Sequence, residues 1–226
     1  MTGAELVPPP LSLYVHLPWC VRKCPYCDFN SHPAGNAPPL DRYIDALRRD
    51  LDLESRRVGD RSVVSVFLGG GTPSLFPAPG IERLLRCIRS RFDLVDDVEI
   101  TMEANPGAIE RDQIAGYAAA GINRLSLGAQ SFTPPALVAL GRIHSVDDIG
   151  RAVGEARAAG ITNLNLDVMY ALPGQQLQDA LYDLGCALAL EPEHLSWYEL
   201  TLEPNTVFHT RPPEQLPDED AVEGMQ

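Results

Sequence analysis

The sequence is short of basic residues and has no long apolar run. Its 226 residues include 18 lysines and arginines against 31 aspartates and glutamates, a formal net charge of -13. This balance argues against nucleic acid or an anionic membrane surface as a partner, since no basic patch exists to neutralise phosphates. No apolar stretch approaches the roughly 20 residues that span a bilayer, and the opening MTGAELVPPP lacks the parts of a signal peptide. We therefore expect a cytoplasmic protein without a transmembrane segment.

Cysteines are few and unevenly placed. Of the five, Cys20, Cys24 and Cys27 fall within the stretch CVRKCPYC, with the spacing C-x3-C-x2-C. An odd number bunched this closely makes a poor disulfide framework, and in a reducing compartment it indicates metal or redox chemistry. Cys87 and Cys186 stand alone in predicted helices, where we expect them to be small core residues.

Three thiols leave a metal site one ligand short. One interpretation is a zinc site completed by His16 or His32, but zinc ligands usually come in two separated pairs and no second pair occurs. The other is an iron–sulfur cluster, which suits soft thiolates and normally takes four cysteines. With three, one iron would keep an open position for a substrate or cofactor.

Six strand-like runs alternate with helix-like runs. LSLYVHL (11–17) is the first strand, a helix follows over about 40–56, and Ser145 with Asp148 forms a capping box that opens a later helix. The alternation predicts an α/β fold in which helices pack outside a parallel sheet. A closed barrel needs eight such steps, so we expect an open or three-quarter barrel over 11–204. We expect residues 1–10 to form a tail.

Strand alternation places polar side chains in the interior of this barrel. Glu103, Gln130 and Asp167 point inward near the carboxyl ends of their strands, where barrel active sites lie. Each could instead be a rim residue in water, but several strands agree. The inward set is Ser12, Tyr14, His16, Glu99, Thr101, Glu103, Ser126, Gly128, Gln130, Asn163, Asn165, Asp167, His194, Ser196 and Tyr198. This pattern predicts a polar ligand cavity, because carboxylates buried without partners are costly.

The cysteine motif resembles the signature of the radical S-adenosylmethionine (SAM) family. YVHLPWC, GGGTPSL, MEANPG, SLGAQSF, LGRIHS, NLDVMYALPGQ and HLSWYELTLEPNT resemble its oxygen-independent coproporphyrinogen III oxidase-like subgroup, over about residues 10–213. The resemblance implies a partial (β/α)6 TIM-like barrel and a [4Fe–4S] cluster whose open iron chelates SAM. It also implies reductive cleavage of SAM to a 5′-deoxyadenosyl radical, and therefore an electron donor.

The resemblance assigns roles to particular residues. Cys20, Cys24 and Cys27 would ligate the cluster. A first SAM would be contacted by Tyr14, Tyr26, Gly70, Gly71, Thr72 and Glu103, and a second SAM by Gln130, Arg142 and Asp167. The glycines would permit close backbone approach, with free N–H and C=O groups for the methionine amino group, although an ordinary tight turn is the alternative. Arg142 could instead be a helix-end cation.

Two departures from the subgroup bear on function. Phe29 stands where the oxidases carry a further cysteine, which favours the heme-chaperone branch and weakens the assignment of a second SAM. The chain ends at Gln226 without the His-Asn-x-x-Tyr-Trp heme-binding motif of the family, so we expect 205–226, rich in proline and acid, to begin a missing C-terminal domain. The leading hypothesis is a chaperone that binds heme and transfers it to respiratory proteins. The alternatives are decarboxylation of coproporphyrinogen III to protoporphyrinogen IX and a zinc-stabilised binding domain.

Overall fold

The computed structural model describes residues 8–108 and 111–226. The strands of this part are β1 (Leu11–Leu17), β2 (Trp19–Cys20), β3 (His32–Pro33), β4 (Val63–Gly70), β5 (Leu94–Ala104), β6 (Arg124–Gln130), β7 (Asn163–Tyr170) and β8 (His194–Glu199). The helices are α1 (Leu40–Val58), α2 (Ala78–Arg89), α3 (Arg111–Ala120), α4 (Pro134–Ala139), α5 (Val146–Ala158), α6 (Leu177–Ala189), α7 (Val207–Thr210) and α8 (Glu219–Met225).

Six of the strands form one parallel sheet in the order β1-β4-β5-β6-β7-β8. Every pairing in it is parallel, and strands that follow one another along the chain are neighbours, as the β/α alternation predicted. Among the described strands, β1 and β8 each have a neighbour on one side only, so the sheet is open. The short pair β2 and β3 lies apart from it and brackets the cysteine loop.

The helices cover the apolar outer face of the sheet. Val15 and Leu17 of β1 and Leu68 of β4 are buried in the same hydrophobic core as Ile81 and Leu84 of α2. The capping box predicted for α5 is confirmed, because the Ser145 hydroxyl accepts the N–H of Asp148 at 3.3 Å and the Asp148 carboxylate accepts the N–H of Ser145 at 2.7 Å.

The inner face of the sheet is polar and cross-linked, as strand alternation predicted. Asn165 of β7 donates to the Ser126 hydroxyl of β6 at 2.7 Å and to the Asp167 carboxylate at 2.8 Å. From β8, the Ser196 hydroxyl donates to the Asn165 side-chain oxygen at 3.1 Å. These bonds satisfy the polar groups of the inner face and fix the side chains beneath the strand ends.

The segment after β8 packs onto the barrel. Phe208 of α7 and Met225 of α8 are buried, and the N–H of Phe208 donates to the Pro25 carbonyl of the cysteine loop at 3.0 Å. The Trp197 indole donates to the Met225 carbonyl at 3.2 Å. Residues 205–226 thus pack on the barrel, and the domain boundary expected at 204/205 stays a prediction. Of the expected tail, residues 1–7 lie outside the described part, and the described helices include none long and apolar enough to cross a bilayer.

Candidate cofactor site

A cavity of about 410 Å³ opens at the carboxyl ends of the sheet strands. The cysteine loop closes one side, and the ends of β4 to β8 form the other. All the residues that the sequence nominated line it except Tyr14: Cys20, Cys24, Cys27, Tyr26, Gly70, Gly71, Thr72, Glu103, Gln130, Arg142 and Asp167. Residues spread over more than 140 positions of the chain thus converge on one pocket, where parallel-barrel active sites lie.

Tyr14 lies away from the cavity lining. It sits in mid-strand, three residues before β1 ends, and a strand rises about 3.3 Å per residue. Its ring packs beside Phe67 with centroids 6.2 Å apart, and its hydroxyl donates to Nδ1 of His16 at 2.9 Å. The inward direction was predicted correctly, but the height along the strand gives the prediction of a cofactor contact no support.

Side chains hold the cysteine loop by donating hydrogen bonds to its backbone carbonyls. Lys23 donates to the carbonyls of Phe29 at 2.9 Å and Ser31 at 3.2 Å, and His16 donates through Nε2 to the Asn30 carbonyl at 2.8 Å. With both ring nitrogens engaged, His16 is not placed as a zinc ligand. Residues 8–108 and 111–226 contain no group of three His, Cys, Asp or Glu side chains that could hold one metal ion. The zinc hypothesis therefore gains no support.

The thiols of the loop fit an iron–sulfur cluster. Cys20, Cys24 and Cys27 face one cavity from one loop, while Cys87 is buried in the core and Cys186 lies partly buried on α6. A [4Fe–4S] cluster spreads its thiolates over separate irons, so the sulfurs need not converge on a point as zinc ligands do. Burial raises the pKa of the Cys27 thiol, although the N–H of Phe29 and the Ser31 hydroxyl act in the opposite direction.

The glycine turn after β4 lets the chain pass close to the start of the cysteine loop. Gly70 has φ +118°, and a Cβ there would lie 2.5 Å from the His16 ring; at Gly71 it would lie 2.7 Å from the Pro18 carbonyl carbon. The N–H groups predicted to be free are used within the protein. Gly70 donates to Glu103 at 3.0 Å, and the Gly71 and Thr72 amides donate to carbonyls of the β1–β2 segment, each at 2.8 Å. Among the described residues these three N–H groups are therefore engaged, and the turn offers a ligand the Thr72 hydroxyl and carbonyl oxygens instead.

Glu103 and Asp167 are two of the carboxylates that line the cavity. Burial raises the pKa of Glu103, and the nearby Asp167 adds to this, while the Gly70 N–H lowers it. Burial likewise raises the pKa of Asp167, against hydrogen bonds from Asn165 and Ser126. A ligand that donates hydrogen bonds would stabilise the charged form of these carboxylates. Sugar hydroxyls or an ammonium group are such donors.

Arg142 lies between the cysteine loop and β6. Its Nη2 donates to the Gly128 carbonyl at 2.8 Å, its Nη1 lies 3.6 Å from Cys24 Sγ, and its buried Nε has no partner among the described residues. The guanidinium therefore points into the site, and the interpretation as a helix-end cation is wrong. Tyr26 lies in the same group, and burial raises the pKa of its phenol.

Gln130 enters the cavity through a bulge. It has φ +69°, and the register of β6 against β7 shifts between Gly128 and Gln130. Its side-chain oxygen accepts the hydroxyl of Tyr198 at 2.5 Å. Burial raises the pKa of the Tyr198 phenol. Strand alternation predicted that Tyr198 points inward, but Tyr198 was not among the predicted site residues.

Other lining residues were missed or undervalued. Strand alternation could have nominated Ser126, and proximity to the motif could have nominated Arg22 and Asp28. Phe29, noted only as a departure from the oxidases, lines the mouth of the cavity with 57% of its surface exposed. Glu203, which follows β8, carries no periodic signal and was not foreseen.

Fold and site together define a partial-barrel cofactor protein, with a loop of three thiols over a cavity at the strand ends that several charged side chains line. A comparison with protein families matches residues 14–184 to the radical SAM superfamily. The chain belongs to this superfamily.

Curated relatives share the sequence over nearly the whole chain. The heme chaperone HemW of Escherichia coli (strain K12) is 52% identical over 95% of the chain, which covers 56% of that protein. HemW of Mycobacterium tuberculosis (strain H37Rv) is 38% identical over 89% of the chain and is covered to 52%. The chain thus spans about half the length of the curated relatives that it matches.

Solved structures confirm the partial (β/α)6 TIM-like barrel. Coproporphyrinogen III oxidase (HemN) from Escherichia coli, a radical SAM enzyme, superposes with a TM-score of 0.86 at 30% identity, over 96% of this chain and 50% of that one. The methyltransferase TsrM from Kitasatospora setae superposes with a TM-score of 0.62 at 16% identity, over 87% of this chain and 38% of that one, and shares the fold alone.

Proposed function

We propose that the chain is the radical SAM core of a heme chaperone, which receives heme and passes it to respiratory acceptor proteins. The observation that carries the proposal is that three thiols line one cavity, in a chain 52% identical to a relative named heme chaperone. A cytoplasmic location and an external electron donor are parts of the same proposal. Heme would be cargo, and the [4Fe–4S] cluster and SAM resident cofactors.

Each proposed contact follows from a position in the cavity. Cys20, Cys24 and Cys27 would hold the cluster, and the guanidinium of Arg142 beside Cys24 would stabilise thiolate charge. Among the described residues Glu103 accepts only the N–H of Gly70, and it would accept hydroxyl groups of SAM. A bound cluster would supply the electron for SAM cleavage, and the residues of the cavity would orient SAM and exclude water.

A coproporphyrinogen III oxidase is the second candidate. It is favoured by the superposition on HemN and by the presence of Gln130, Arg142 and Asp167 in one cavity, where a second SAM would be expected. Phe29, whose exposed ring lies at the cavity mouth, favours the chaperone, because the oxidase subgroup carries a cysteine at this position.

Heme binding and porphyrinogen turnover distinguish the two functions. The chain and a full-length homologue are reconstituted anaerobically, titrated with heme, and assayed with coproporphyrinogen III, SAM and a reductant. The chaperone predicts stable heme binding by the homologue and no decarboxylated product from either protein. Formation of protoporphyrinogen IX, lost in a Cys24→Ala variant, would instead establish the oxidase.

A further inference from the structure

A buried carboxylate lies behind the cavity wall. Asp183 of α6 is fully buried, and its oxygens accept the backbone N–H of Phe132 at 2.7 Å and the hydroxyl of Ser131 at 2.7 Å. The Thr133 hydroxyl at 3.3 Å and the Gln175 amide at 3.4 Å add longer bonds. All four donors are neutral, and a carboxylate is costly to bury without an opposite charge. Packing alone does not explain why an aspartate occupies this position, where an apolar side chain would avoid that cost.

The segment that Asp183 holds begins directly after Gln130. The left-handed conformation of Gln130 is costly for a residue with a side chain, and such strain persists only where the surroundings fix it. Ser131 and Phe132 are the next two residues, and the Ser131 hydroxyl also accepts the N–H of Thr133 at 3.0 Å. The carboxylate therefore fixes the chain where it leaves the bulge.

The same carboxylate reaches the end of the neighbouring strand through Gln175. The Gln175 side chain donates to Asp183 and accepts the N–H of Leu172 at 3.1 Å. Leu172 follows Ala171, which is again left-handed with φ +59°. The chain exits of β6 and β7, each directly after a strained residue, are thus tied to one group on α6.

We infer that Asp183 is a positioning residue for the cofactor cavity, which fixes the chain after β6 and β7 and so keeps Gln130 turned toward Tyr198. Asp183 does not line the cavity itself and acts through the bulge. The inference rests on the proposed function in one respect, namely that the cavity binds SAM. An asparagine cannot substitute, because the Ser131 hydroxyl and the Gln175 amide both donate to Oδ2, and an amide nitrogen there does not accept.

The test compares Asp183→Asn with Asp179→Asn. Asp179 lies one turn earlier on α6 and is exposed, and from the residues that the structure describes it accepts only the N–H of Gln176, at 2.9 Å, in a helix cap. Both variants are measured for thermal unfolding, for iron per chain after anaerobic reconstitution, and for SAM affinity by equilibrium dialysis.

Asp183→Asn is expected to keep its iron and to bind SAM about tenfold more weakly, as when an outer hydrogen-bond partner of a metal site is lost. Asp179→Asn is expected to lose stability without loss of SAM affinity. Wild-type affinity in Asp183→Asn, or equal losses of affinity in both variants, overturns the inference.

A second measurement separates this inference from the proposed function. Hydrogen exchange followed by mass spectrometry needs no cofactor, and Asp183→Asn should speed exchange in 130–133 and 171–175, whereas Asp179→Asn should speed it near 176–180. If the wild-type chain takes up neither cluster nor SAM, the proposed function fails while the exchange data still decide whether Asp183 holds the bulge. Unchanged exchange at 130–133 in Asp183→Asn overturns the inference whatever the chain binds.

Discussion

The hydroxyl of Tyr198 donates to the side-chain oxygen of Gln130 at 2.5 Å, although β7 lies between their two strands. Both side chains point to the inner face of the sheet, where they meet across the intervening strand. The contact joins the last strand of the sheet to the bulge of β6, and it closes one side of the cavity that faces the cysteine loop.

Tyr198→Phe removes this hydrogen bond and leaves the ring in place. We expect the free energy of unfolding to fall by about 1 kcal/mol, because the buried oxygen of Gln130 loses its donor. Urea denaturation measures the change. Tyr182→Phe, at an exposed tyrosine on α6, is the matched control and should change stability by less than about 0.5 kcal/mol. Equal effects at the two positions would mean that the Tyr198 bond contributes nothing specific.

Cys24→Ala should abolish iron uptake, whereas Cys186→Ala should leave it intact. Cys24 faces the cavity beside Arg142, and Cys186 lies on α6 away from the loop. Anaerobic reconstitution of the wild-type chain should give about four irons per chain. Iron and sulfide analysis of the three proteins measures this.

SAM should also change the EPR spectrum of the reduced wild-type cluster, and an unchanged spectrum would refute an open iron.

Gly70→Ala should destabilise the protein far more than Gly160→Ala. Both glycines have positive φ, so an alanine at either costs about 1–2 kcal/mol of backbone strain. At Gly70 the added Cβ would also lie 2.5 Å from the His16 ring, whereas at Gly160 nothing lies within 4 Å. We expect a total loss of about 3 kcal/mol or more at Gly70, since overpacking adds about 1–3 kcal/mol. Chemical denaturation gives both values, and similar losses would show that the turn can move away from His16.

Glu103→Gln should make the chain without cofactors more stable, and increasingly so as pH rises. Burial raises the pKa of Glu103 in the folded state above its ordinary value of 4.5, so between these two values the folded protein binds more protons than the unfolded one. By linkage, this carboxyl lowers wild-type stability as pH rises through that window, and the amide does not.

Urea denaturation from about pH 5 to pH 8 tests this sign. The stability of Glu103→Gln minus that of the wild type should grow with pH and then level off above the folded pKa. Glu223→Gln, at an exposed residue of α8, controls for the loss of one negative charge from an acidic protein. A difference that shrinks as pH rises would mean that the Gly70 N–H outweighs burial at Glu103.

Much of the fold followed from local patterns. Period-2 alternation gave the polar inner face of β6 and β7, because side-chain direction along a strand is set by the backbone alone. The capping box at Ser145 was likewise visible in four residues. The start of β5 at Leu94 and the helices α7 and α8 were not predicted, because the acid-rich and proline-rich stretches there lack an apolar period. Tertiary contacts order them, such as the hydrogen bond from Phe208 to the cysteine loop.

The sequence by itself determined the chemistry of this protein: three soft thiols on one loop, inward carboxylates at the strand ends, and six β/α steps that bring them together. The spacing of the cysteines and the alternation of polar residues along each strand can be read directly from the sequence. Tertiary structure alone decided that Tyr14 stays outside the cavity, that the Gly70 N–H serves Glu103 rather than a ligand, and that Asp183 fastens the bulge carrying Gln130. These depend on height along a strand, on close backbone approach and on contacts between residues some 50 positions apart, none of which a local pattern encodes.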